Sequence, residues 1–109
     1  MTIHLVHYQR PDGQRPLQQW LLGLRDPVLI TRITTRLNRL ADGNFGDVRP
    51  LRAGILELRL HSGPGYRIYL GRHGLEWVIL LAGGNKSTQD SDIALALTYW
   101  HDWKARLRT

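Results

Sequence analysis

Midway through this chain the spacing of apolar side chains changes, and that change constrains the fold more than any other feature. Before residue 42 the apolar residues recur at intervals of three and four. Leu17, Trp20, Leu21 and Leu24 form one such stripe, and Ile30, Ile33, Leu37 and Leu40 form another. Each spacing marks one face of a helix. From Asp47 onward the interval falls to two. "VRPLRA", "GILELRLH", "YRIYLGR" and "LEWVILLA" read as consecutive short strands, joined by "AG", "SGPG" and "HG". Connections this short favour antiparallel hairpins.

Punctuation along the chain fits the same division. "TIHLVHYQ" alternates in part and ends at the turn cluster "RPDGQ", so residues 2–9 are expected to form a strand. Pro16 stands at a first helical position, and Asp26 before Pro27 forms a cap for a second helix over about residues 27–41. A final helix over about residues 90–106 is expected, with Ser87 and Asp90 in a capping pattern and Ile93, Leu97, Trp100 and Leu107 on its apolar face. The expected order is β-α-α-β-β-β-β-α. That is an α+β fold with an N-terminal strand, a helical hairpin, an antiparallel sheet of about four strands and a C-terminal helix.

The length of 109 residues fits a single domain over 1–109, and 42% apolar residues supply a core. Trp20, Trp77, Trp100 and Trp103 are expected to be core or helix-packing residues. Cysteine is absent, which excludes disulfides and thiol catalysis. No apolar run approaches the ~20 residues of a membrane span or opens the chain as a signal peptide would, so a cytoplasmic protein without a membrane partner is expected. The net charge is +6, with 13 arginines against two lysines. Arginine presents a planar fork that grips phosphate with paired hydrogen bonds, so an anionic partner is expected, nucleic acid foremost.

The stretch "ELRLHSGPGYRIYL" places the chemistry. Alternation sends Leu56, Leu58, Leu60, Ile68 and Leu70 to one face of the sheet, and Glu57, Arg59, His61, Arg67 and Tyr69 to the other. A three-residue loop sets Arg59 opposite Arg67 and Glu57 opposite Tyr69. A five-residue loop instead sets Arg59 opposite Tyr69 and His61 opposite Arg67. In the first register two guanidinium groups stand ~5 Å apart at Cβ and repel unless a carboxylate or a bound phosphate lies between them. Glu57 is the carboxylate at hand. Lys86, just past the last strand, reaches the same surface if that strand neighbours the hairpin. Such a set suits metal-free RNA cleavage. Arg59, Arg67 and Lys86 would stabilise charge on the phosphate, and His61, Tyr69 or Glu57 would move protons. On the second helix, Arg32, Arg36 and Arg39 form a separate basic stripe for RNA, and Arg52 and Arg72 are further RNA-contact candidates.

"LRAGILELRLHSGPGYRIYL" followed by "LLAGGNKSTQDSDIALALTYW" resembles the RelE/ParE superfamily of toxin–antitoxin toxins, most closely the HigB-like, addiction-module killer group. The resemblance covers about residues 3–105. It implies a RelE-like fold and a ribosome-dependent mRNA endonuclease without metal or other cofactor. It implies Arg59, Arg67 and Lys86 as the basic residues of the site. It also implies a cognate antitoxin, often a helix-turn-helix protein. Two departures stand out: Glu57 lies where some members carry lysine, and the C-terminal tyrosine of the family site has no counterpart unless Tyr69 or His61 replaces it. ParE-type members share the fold but inhibit DNA gyrase, so a non-enzymatic inhibitor and an inactive RNA-binding module are the alternatives. "AGGNKST" lacks the glycine spacing of a phosphate-binding loop, and the histidines show no metal-ligand spacing.

Overall fold

The computed structural model describes residues 2–107. Its elements are β1 (His4–His7), α1 (Pro16–Leu22), α2 (Pro27–Ala41), β2 (Val48–Pro50), β3 (Ile55–Leu60), β4 (Tyr66–His73), β5 (Trp77–Asn85) and α3 (Gln89–Leu107). A single 3-10 turn, Lys86–Thr88, leads into α3. The strands form one sheet in the order β1-β5-β4-β3-β2. The four strands after the helices are antiparallel, as their tight connections require. The N-terminal strand joins them in parallel against β5, so the sheet has five strands and is mixed. Parallel pairing carries no local signal, because its partner lies some 70 residues downstream.

The sheet is covered on both faces. Leu58, Leu60, Ile68, Leu70, Val78 and Leu80 pack with Leu17 of α1 and with Leu29, Ile33 and Leu40 of α2. On the other face Ile55, Tyr69, Ile79, Leu81 and Ala82 pack with Ala96 and Trp100 of α3. Two strand glycines make room for tryptophans. A Cβ on Gly71 would overlap the Trp100 ring, and one on Gly83 would lie 2.5 Å from Trp20 Cε3. Trp100 also donates from Nε1 to the carbonyl of Ala53 at 2.6 Å. A bulge at Leu81, between the pairs Tyr69–Ala82 and Leu70–Leu80, changes the parity of β5. Ala82 thereby joins the α3 side and Gly83 turns toward α1.

Several local expectations shift. Asp26 caps α2 by accepting from Val28 and Leu29, as its position suggests. The cap ahead of α3 is Asn85, paired with Thr88 in a capping box, and not Ser87 with Asp90. The buried stripe of α2 contains Leu29 and leaves Ile30 exposed, a rotation of about one residue. Leu107 and Trp77 are exposed, and Trp77 stacks at a tilt on His4 at the sheet edge instead of entering the core.

Candidate functional site

The end of β3, the start of β4 and the end of β5 meet at one end of the sheet, because antiparallel neighbours reverse there. The register is the one set by the shorter loop: Leu58 faces Ile68, Glu57 faces Tyr69, and Arg59 faces Arg67. Directly opposed residues share a sheet face, so both guanidinium groups stand on the α3 side. Gly63 and Gly65 hold the connecting turn with positive φ, at 53° and 79°. Lys86 meets this turn. A Cβ on Gly65 would lie 3.4 Å from Arg67 Nη1 and 3.8 Å from Lys86 Cβ. Arg59, Arg67 and Lys86 therefore gather at one end of the sheet.

The two arginines are neutralised separately. Arg59 Nη2 donates to Asp47 Oδ1 at 3.2 Å, and both side chains are roughly a third exposed. Arg67 lies deeper. Its Nη1 donates to the Gly65 carbonyl at 2.8 Å, and its Nε stands 3.7 Å from Glu57 Oε2. Asp47 also binds His61, with Oδ2 at 2.6 Å from Nε2. These bonds, His61 first and Arg59 second, hold the Asp47 carboxyl below the usual range for aspartate. If Nε2 carries the proton given to Asp47, Nδ1 of His61 is left as an acceptor. The His61 side chain is 77% exposed.

The α3 face is not an open surface, and this overturns part of the expected site. Glu57 and Tyr69 are fully buried beneath the start of α3. Gln89 Nε2 donates to Glu57 Oε2 at 2.9 Å, which ties the helix start to the sheet. Burial, and secondarily the Glu57 carboxylate, pushes the Tyr69 hydroxyl well above its ordinary pKa, and it lies beside Glu57 without a well-formed hydrogen bond. Neither side chain reaches a ligand at the surface. Alternation assigns them the correct face but cannot tell a solvated face from one covered by a helix whose contacts are long-range.

Arg36 is also not free. Its Nη1 donates to the Arg59 carbonyl at 2.7 Å, and its Nη2 to the carbonyls of Asp47 at 3.1 Å and Phe45 at 3.4 Å. It pins α2 to the strand that carries Arg59. Arg32 and Arg39 are exposed on either side of it. Arg52 and Arg72 have their backbones at the opposite end of the sheet, beside the β2–β3 turn, and do not join the group. Arg72 lies over the Phe45 ring at 4.6 Å. Asp47 had no expected role, and Gln89 and Asp92 stood only within the stretch that carries the resemblance. Asp92 accepts from Thr88 at 2.6 Å and occupies the space a side chain on Gly84 would take. In "GGNKSTQDSD", then, both glycines, Gln89 and Asp92 act in packing, and Lys86 alone projects outward as a cation. Among the described residues no three His, Asp or Glu side chains cluster as metal ligands would, and no helix is long and apolar enough to cross a membrane.

Fold and site together define an α+β domain with a mixed five-stranded sheet between helices and a cationic cluster at one sheet end. No family model matches the chain. Over 77 residues it is 48% identical to an uncharacterized protein of Haemophilus influenzae, an alignment covering 71% of this chain and 78% of that protein. The chain belongs to the same family as that Haemophilus protein.

Proposed function

We propose that this chain is the toxin of a type II toxin–antitoxin pair with a RelE/ParE-like fold, and that it cuts mRNA on the ribosome without a metal ion. The observation that carries this reading is the convergence of Arg59, Arg67 and Lys86 at one sheet end, next to an exposed His61 oriented by Asp47. His61 Nδ1 would take the proton of a ribose 2′-hydroxyl, whose oxygen then attacks the adjacent phosphorus. Arg59 and Lys86 would stabilise the added negative charge. The 5′-oxygen leaves and takes a proton from solvent water, and a 2′,3′-cyclic phosphate remains. Arg67, held by Glu57 and Gly65, acts as a fixed charge and keeps the turn in place. Tyr69 and Glu57 carry no proton in this scheme. The cytoplasm is the compartment this activity requires, and a small acidic-faced antitoxin, encoded alongside, would mask the cationic end.

The inward placement of Glu57 and Tyr69 favours a second reading: a ParE-type inhibitor of DNA gyrase, or an RNA-binding module that has no chemistry. Expression of wild type, His61→Ala and Lys86→Ala in cells, with mapping of mRNA 5′ ends, separates these. New ends from the wild type that vanish in both variants support the nuclease. Growth arrest with intact mRNA and lost supercoiling activity supports the gyrase inhibitor.

A further inference from the structure

Beside the cationic cluster, a cleft of about 230 Å³ opens between α2 and the end of β3. It is lined by Leu60 and His61 at the end of β3 and by Arg32, Arg36, Arg39 and the hydroxyl side chains Thr31 and Thr35 of α2. A second hollow of about 380 Å³ adjoins it along α2, sharing Thr31 and Arg32 and ending at the exposed Val28. The cleft lies below the ~300–1,000 Å³ of drug-sized ligand pockets. One compact unit fits each hollow, and the two in series suit a polymer better than a single small molecule.

The charges point to what that polymer is. Arg36 is committed to backbone carbonyls and holds the cleft wall in place. Arg32 and Arg39 have no carboxylate partner among the described residues. They stand seven residues apart, ~10.5 Å along the helix axis, so the positive charge forms a run and not a point. Threonine hydroxyls donate and accept, as ribose hydroxyls and phosphate oxygens require, and the exposed Val28 offers apolar surface for a base. An acidic peptide would use the arginines but has no need of the His61 that lines the same cleft.

We propose that this track along α2 binds the single-stranded RNA segment flanking the reacting nucleotide, through its phosphates and riboses. The inference rests on the proposed nuclease reading for the position of the reacting nucleotide, but the binding itself can be measured without cleavage. The probe is a fluorescein-labelled, unmodified single-stranded RNA oligonucleotide, which a ribosome-dependent activity leaves uncut when ribosomes are absent. Anisotropy titrations over a salt series would compare wild type, the pair Arg32→Ala/Arg39→Ala, the same pair changed to Lys, and a charge-matched control, Arg15→Ala/Arg25→Ala, on the exposed flanks of α1. Single-stranded binding loses ~0.7 in log–log salt slope for each phosphate contact removed, so the Arg32/Arg39 alanine pair should lower the slope by about 1.4. The Lys pair should keep most of the slope, and the control pair should change it by much less. Equal losses in the two alanine pairs, or no RNA binding by wild type, would overturn the track. So would a cleft that binds a polyglutamate peptide through Arg32 and Arg39 while RNA binding is unaffected. RNA binding through the track without ribosomal cleavage would keep the track and remove the nuclease.

Discussion

Replacing Arg36 separates a structural arginine from a ligand-binding one. In sequence it is the middle of three basic residues on one helix face and looks like its neighbours. In the fold its guanidinium reaches three carbonyls, of Arg59 in β3 and of Phe45 and Asp47 in the α2–β2 connection, two of them at 2.7 and 3.1 Å. Hydrogen bonds to a charged donor contribute ~1.5–3 kcal/mol each, and the lower figure suits a half-buried group. Arg36→Ala removes two good bonds and should cost about 3 kcal/mol, counting nothing for the third at 3.4 Å. For a domain of this size that corresponds to a fall of about 12–24 °C in Tm, at 4–8 °C per kcal/mol. Arg36→Lys keeps the charge and one bond and should cost about half as much. Urea unfolding followed by tryptophan fluorescence would show a lower midpoint at an unchanged slope. Arg32→Ala and Arg39→Ala should stay within ~0.5 kcal/mol of wild type, as exposed substitutions do. If Arg36→Ala also fell within that range, Arg36 would be a solvated surface arginine, and the rigid wall assigned to the cleft would not exist.

Further outcomes follow from single contacts. Gly71→Ala drives a methyl into the Trp100 ring and should destabilise by ~1–3 kcal/mol or prevent folding, as overpacking does; thermal unfolding measures it. Ala53 has a φ of 62°, so Ala53→Gly should stabilise by about 0.5–1 kcal/mol, the left-handed penalty less the entropy of glycine, read as a raised urea midpoint. Burial, and then the charge of Arg15, lowers the pKa of His7 below 6.5, so the stability it supplies is complete above that value and is lost as pH falls through the folded pKa. Asp47 and Asp102, both lowered from 3.8, add a second loss below the carboxylate range. Urea midpoints taken from neutral pH down to acid should fall in two steps, and His7→Gln should remove the upper one.

The sequence carried more of the fold than of the site. Helix α2 was legible to its ends because Asp26, Pro27 and a strong period act locally. The β3–β4 register was one of two that parity allowed, and the fold takes the tighter turn that Gly63 and Gly65 permit. What could not be read was long-range. The partner of β1, the helix lying over Glu57 and Tyr69, and the carbonyls that Arg36 reaches all depend on residues nine or more positions away. Asp47 shows the same limit from the other side. It stands in a loop with no pattern around it, yet it neutralises Arg59 and orients His61. The resemblance pattern marked Gly83, Gly84, Gln89 and Asp92, which pack, together with Lys86, which projects; spacing alone does not separate the two roles.

The direct test of the central claim is to incubate the purified protein with ribosomes translating one defined mRNA and to identify the RNA termini. The account predicts cuts inside the reading frame with 5′-hydroxyl and 2′,3′-cyclic phosphate ends, reduced ~10²–10⁴-fold by His61→Ala, the range of general-base catalysis. Uncut mRNA, or cutting undiminished in His61→Ala, would contradict it.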